Sequence, residues 1–147
     1  MKVMFDTNIY ISFIRNQSHR GELQRLGSAK YLSAIVLMEL WAGARSKKAQ
    51  KLLRQLQRPY LTSSRIVTLT ERHYITTGEF LSSLPPEHRS LSTRANFVSD
   101  VQISLTALSI GATLFTEDRV HFGIISGRMS TLKVEYLRAE DGLPERP

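Results

Sequence analysis

The sequence predicts an α/β domain in which a mainly parallel sheet is covered by helices on both faces. Three observations carry this prediction. Short apolar strand-like runs alternate with helical segments along most of the chain. No repeat and no Pro/Gly/Ser-rich linker divides it. Its 147 residues are the length of one domain with one core. The domain is expected over residues 1–138, with 139–147 a loose tail.

Val3-Met4-Phe5 reads as a strand running into a helix cap at Asp6-Thr7-Asn8, and Ile9, Tyr10, Phe13 and Ile14 share one face of the helix that follows. A short helical piece lies between Gly21 and Gly27. Tyr31 to Ala34 is a second strand, and Ile35 to Ala44 a helix that carries Glu39. Ser46 caps the next helix, where Ala49, Leu52, Leu53 and Leu56 recur at i, i+3, i+4, i+7 and Pro59 is expected to end the element. Arg65 to Leu69 alternates like a strand, and Thr70 to Leu84 like a helix. Pro85-Pro86 opens a polar stretch read as a loop to Arg94. Residues 97–110 form a helix with Phe97, Val98, Val101, Leu105 and Leu108 on one face, closed by Gly111. Ala112 to Phe115 is a strand ending at Thr116-Glu117-Asp118, Val120 to Ile125 a short helix, and Leu132 to Leu137 a last strand.

The hydrophobic content of 41% and charged content of 22% are ordinary for a folded domain. There is no cysteine, so disulfides, thiolate metal sites and cysteine nucleophiles are excluded, and a reducing cytoplasm is expected. No segment has the length of a membrane span or the layout of a signal peptide. The charge is uneven. Residues 1–75 hold 13 Lys/Arg against 4 Asp/Glu, and residues 76–147 hold 7 against 9. Between Glu39 and Glu71 there is no acid, and within that gap Lys47, Lys51, Arg54 and Arg58 fall on one face of a helix. Such a stripe suits a polyanion, though a solvated helix face has the same look.

Four acids, Asp6, Glu39, Asp100 and Asp118, sit at the edges of apolar segments, separated by 33, 61 and 18 residues. Burying an unpaired carboxylate is costly, so four at apolar edges point to a shared partner, and a hard divalent cation suits carboxylate oxygens. Each also has a simpler use. Asp6 suits a helix cap, Asp100 the start of a helix, Asp118 a turn, and Glu39 a pairing with Arg45 or a lysine. If the first and fourth strands are neighbours, all four face one crevice at the carboxyl ends of the strands.

The stretches Phe5-Asp6-Thr7-Asn8, Leu37-Met38-Glu39-Leu40-Trp41-Ala42-Gly43, Ser99-Asp100-Val101-Gln102-Ile103 and Gly111 to Phe122, in this order, resemble the PIN-domain nucleases, and among them the VapC-type toxins of prokaryotic toxin–antitoxin pairs. The resemblance implies a three-layer α/β/α sandwich and a Mg²⁺- or Mn²⁺-dependent endoribonuclease. It implies Asp6, Glu39, Asp100 and Asp118 as the acidic quartet, with Asp6 and Asp100 as direct metal ligands. Glu39, Asp118 and Glu117 are candidates to bind directly or through water, and Glu117 competes with Asp118 for the fourth place. Thr116 matches a hydroxyl position beside the fourth acid; Asn8 and Ser104 are further supporting candidates. Where the family often has Asn before the third acid, this chain has Ser99. Lys47, Lys51, Arg54, Arg58, Arg94 and Arg119 are candidates to hold RNA, whereas His121, Trp41 and Phe122 read as structural. A cognate antitoxin and a homodimer follow from the resemblance alone. A DNA nuclease with the same acids, or a nucleic-acid-binding module without catalysis, are the competing functions.

Overall fold

A run of buried residues opens the chain. In the computed structural model, which describes residues 1–138, Val3, Met4 and Phe5 of strand β1 (Lys2–Phe5) are all inside. Three successive buried side chains require cover on both faces of the sheet, which is the condition of a central parallel strand. The chain continues through α1 (Thr7–Asn16), α2 (Arg20–Gln24), β2 (Ala29–Ser33), α3 (Ala34–Gly43), α4 (Lys47–Thr62), β3 (Ile66–Val67), α5 (Glu71–Ser82), 3₁₀ turns over Pro86–Thr93, α6 (Ala95–Ser109), β4 (Thr113–Thr116), α7 (Arg119–Arg128) and β5 (Lys133–Tyr136). The tail 139–147 lies outside the described residues.

The strands run in the order β3-β2-β1-β4-β5, and every pairing is parallel. From β1 the chain steps outward to β2 and β3, then returns to the other side of β1 for β4. Right-handed crossovers therefore place α1–α4 on one face and α5–α7 on the other. Within each set α1 meets α3 and α3 meets α4, while α5 meets α6 and α6 meets α7; α3 also meets α6. The direction of winding reverses between β1 and β4. Their carboxyl ends, with Phe5 opposite Phe115, flank the crevice where such sheets bind ligands.

Three elements depart most from the sequence reading. Helix α4 does not stop at Pro59 but runs to Thr62. Proline removes the bond to the carbonyl of Gln55, an exposed residue, while the turn beyond buries Tyr60. The stretch expected to be a loop after Pro85 is eight residues of 3₁₀ turns, entered through Pro86 at the first turn. Strand β3 is two residues, shorter than the alternation over 65–69 suggested. Helix α6 begins two residues before the expected start and ends, as anticipated, just ahead of Gly111, whose φ of +66° is readily adopted by glycine. Its second half is buried almost all round, because it packs against α3, α5, α7 and the sheet at once.

The core includes a polar tie. Tyr10 and Tyr60 are buried with their hydroxyls 3.0 Å apart, joining α1 to α4. Tyr60→Phe leaves the Tyr10 hydroxyl without this partner and is expected to cost about 1–2 kcal/mol, read as a lower urea midpoint. An unchanged midpoint would mean that water replaces the lost bond.

Candidate acidic active site

Asp6 directly follows β1, and its backbone N–H donates to the Phe115 carbonyl at 2.9 Å, tying it to β4. Its side chain is 4% exposed. One oxygen accepts from the Thr7 N–H at 2.7 Å, so Asp6 does cap α1; the other accepts from the Thr116 hydroxyl at 2.8 Å. Thr116, at the end of β4, is the centre of a knot. Its oxygen also accepts from Asn8 Nδ2 at 3.3 Å and from the Asp118 N–H at 3.0 Å, while Asn8 Oδ1 accepts from the Glu117 N–H at 3.3 Å. These bonds fasten the carboxyl ends of β1 and β4 to each other.

Two further acids come in on helices. Glu39, in α3, accepts from the Thr7 hydroxyl at 2.9 Å. Asp100 lies in the second turn of α6. Asp118 caps α7, its Oδ1 accepting the N–H groups of Val120 and His121 at 3.0 Å each. His121 Nδ1 stands 2.7 Å from Asp100 Oδ2 and 3.4 Å from Asp118 Oδ2. Asp100, Asp118 and His121 offer three ligand atoms that all lie within 4.8 Å of one another.

The electrostatics show how crowded the crevice is. Burial pushes the Asp6 carboxyl up to about 6; bonds from Thr116 and Thr7 oppose this, and the charges of Glu39 and Asp118 add to it. Asp100 is raised to about 9, by burial first and then by Asp6, Asp118 and Glu39. Burial also raises Glu39, with Thr7 working against it. Among the described residues, the acids have no Lys or Arg within ion-pair distance; the only basic partner is His121. Concentrated, uncompensated carboxylate oxygens are the donor set of a hard divalent ion, so the residues present fit Mg²⁺ or Mn²⁺.

A family model described as PIN domain matches residues 3–124. The chain belongs to the PIN domain family. No curated protein matches it. Among solved structures, this PIN domain is similar to a chain of VapBC2 from Rickettsia felis bound to a DNA fragment from its promoter, with 27% identity, a TM-score of 0.66, and 93% of this chain and 99% of that one covered. It also resembles VapBC-1 from nontypeable Haemophilus influenzae (23% identity, TM-score 0.64, coverage 92% and 98%) and DNA-bound VapBC from Salmonella typhimurium (24%, 0.63, 92% and 98%). The VapC-type resemblance and the α/β/α sandwich both hold for this PIN domain.

The other candidates lie as follows. Glu117, a competitor for the fourth acid position, has its Oε1 bonded to the Ser12 hydroxyl at 2.7 Å and to His19 Nε2 at 2.6 Å, towards α1 and α2. Asp118 instead reaches His121 and, through it, Asp100. Ser104 is fully buried, and its hydroxyl donates to the Asp100 backbone carbonyl at 2.8 Å; packing within α6 explains it. His121, read as structural, reaches two of the acids. Phe122 is in the core as expected, whereas Trp41 is only partly buried and bridges α3 to α4 through Gln57 at 2.9 Å. Lys47, Lys51, Arg54 and Arg58 are all exposed along α4, with the Arg54 guanidinium 5.7 Å from the centre of the Trp41 ring. Arg94 is exposed at the start of α6, and Arg119 lies over Tyr136 at 4.7 Å. Thr7, Ser12 and His19 escaped the sequence reading. Thr7 was visible only as a cap residue, and nothing in the sequence marks Ser12 or His19 as partners of an acid about a hundred residues away.

Proposed function

We propose that the chain is a metal-dependent endoribonuclease that acts as the toxin of a toxin–antitoxin pair. One observation supports it above the rest: four acids from four separate elements converge at the switch point of the sheet, with no lysine or arginine within ion-pair distance among the described residues. Asp6 and Asp100 are assigned as direct ligands, with Glu39 and Asp118 binding directly or through water. Mg²⁺ or Mn²⁺ bound there supplies Lewis-acid stabilisation of the phosphate and acidifies a bound water.

The chain's own groups do the rest. Thr116 and the Thr7 N–H hold the two oxygens of Asp6 in place, and the Thr7 hydroxyl holds Glu39 by Oε1. Glu39, held by Thr7 and with its proton affinity raised by burial, is the carboxylate we assign to accept the proton of the attacking water. The exposed stripe Lys47, Lys51, Arg54 and Arg58 holds the RNA backbone, with Arg94, at the head of the helix that carries Asp100, and Arg119, next to Asp118, as further contacts. Such contacts position the substrate without reading its sequence.

The reading is tested by incubating RNA and DNA of equal sequence with the protein, with and without Mg²⁺ or Mn²⁺. Metal-dependent cleavage of RNA is expected; preference for DNA would turn the assignment to a DNA nuclease, and binding without cleavage to a non-catalytic module. The toxin role, and the antitoxin that would cover the crevice, are tested by expressing the chain alone, which is expected to arrest growth, and with the neighbouring reading frame, which is expected to relieve the arrest. For the stripe, Lys51→Ala with Arg54→Ala is expected to weaken RNA binding at any sequence. The slope of log affinity against log salt should become shallower by about 1.4, at roughly 0.7 per lost phosphate contact on single strands. An unaltered slope would return the stripe to a solvated face.

A further inference from the structure

We infer that His121 is a nitrogen ligand of the ion in the acidic crevice, so that the site takes Mn²⁺ in preference to Mg²⁺. The inference rests on the metal-dependent reading above and adds to it a fifth side chain and a choice of ion.

The geometry points to it first. In octahedral coordination with bonds near 2.1 Å, adjacent ligand atoms lie roughly 3 Å apart. His121 Nδ1 is 2.7 Å from Asp100 Oδ2 and 3.4 Å from Asp118 Oδ2, which brackets that spacing. With all three atoms within 4.8 Å of one another, they lie within reach of a single ion. The ring is also held in this attitude. The backbone N–H of His121 donates to Asp118 Oδ1 at 3.0 Å, fixing the residue, and the ring meets Phe97 edge to face, with centroids 5.1 Å apart and planes at 88°. An imidazole held in this way presents Nδ1 to the acids before any ion arrives.

The chemistry follows from the donor set. Mg²⁺ is hard, favours oxygen and retains water, and an imidazole nitrogen is a poor donor to it. Mn²⁺ accepts carboxylates as readily and, as the first ion of the Irving–Williams order, accepts a nitrogen donor more readily than Mg²⁺ does. A site of carboxylates and one nitrogen should therefore rank Mn²⁺ above Mg²⁺, whereas a pure carboxylate site separates them less. The competing role is that Nδ1–H only donates to Asp100 and orients it, as partners of metal ligands commonly do. In that case the bound ion touches oxygen alone.

Pulsed electron paramagnetic resonance of the full chain loaded with Mn²⁺ separates the two roles without any assay of cleavage. A ¹⁴N coupling from a directly bound imidazole is expected in the wild type and should be absent in His121→Asn. Calorimetric titration with Mn²⁺ and with Mg²⁺ should show the preference for Mn²⁺ falling by about tenfold or more in that variant, at least the effect of losing an outer partner. His121→Gln provides a second oxygen-donor variant, and the wild-type spectrum stands alone if neither folds. Bound Mn²⁺ with no nitrogen coupling, or an ion preference unchanged in both variants, overturns the inference and leaves the nuclease reading intact. If neither ion binds the wild type, or if both bind Asp6→Asn equally well, the metal reading itself falls and the inference falls with it.

Discussion

Asp6→Asn is expected to reduce RNA cleavage by more than about 10²-fold, some 2.7 kcal/mol of transition-state stabilisation, and to abolish growth arrest while leaving the fold intact. Altering groups that only support a metal ligand typically costs roughly 10–100-fold, so replacing an assigned ligand should cost more. The fold should survive because the amide is isosteric. Its oxygen still accepts the Thr7 N–H that the carboxylate accepts at 2.7 Å, and the Thr116 hydroxyl loses only the acceptor now 2.8 Å away, at a cost of about 1 kcal/mol. What is lost is a charge that burial already disfavours. Initial cleavage rates, with melting temperatures measured alongside, provide the check. A variant that melts normally and cuts RNA at the wild-type rate would remove Asp6 from the chemistry.

Asp100→Asn is expected to stabilise the metal-free protein at alkaline pH. Burial and the neighbouring acids raise Asp100 to about 9 from a reference of 3.8, and burial foremost raises Asp6 to about 6. Between reference and raised values the folded chain holds protons that the unfolded chain has released. The contribution of these groups to stability is therefore present in full below about pH 4, falls as pH climbs through about 6 for Asp6, and continues to fall towards 9 for Asp100. In a chelator, wild type should melt lower at pH 8.5 than at pH 6, and Asp100→Asn should show a flatter profile and melt higher than wild type at pH 8.5. With about 2–8 °C of melting temperature per kcal/mol for domains near this size, the difference should be plain by calorimetry. Adding Mn²⁺ should restore the wild type more than the variant, because an ion that binds only the folded state stabilises it. If Asp100→Asn melts below wild type at pH 8.5, charge crowding is not a cost in this crevice.

Much of the architecture could be read in the chain because local patterns and tertiary demands agree. The apolar Val3-Met4-Phe5 run can only be a strand covered on both faces, and Gly111 stops α6 where a positive φ is needed. Pro59 was misread because a local rule was outweighed: burial of Tyr60 carries α4 past it. The 3₁₀ turns after Pro85 were missed because short turns of this kind lack a strong apolar period.

The candidate site divides along the same line. Charged side chains beside buried segments stand out, so Asp6, Glu39, Asp100 and Asp118 could be picked from the sequence, and the structure brings them to one crevice. Their partners could not. Thr7 looked like a cap residue and also holds Glu39, and His121, one residue before core Phe122, turns its ring to two acids from α6 and the head of α7.

The sequence by itself determined the alternation of strands and helices, the basic half and the carboxylate chemistry, since these depend on residue types and short spacings. Only the tertiary structure turns Glu117 towards Ser12 and His19 and Asp118 towards His121. Both follow the same strand, equally acidic and adjacent. Which one faces the crevice depends on Ser12 and His19, 105 and 98 residues from Glu117, and on Asp100 and His121 around Asp118. Contacts over such distances exist only once the sheet has assembled and brought α1, α6 and α7 to the same edge.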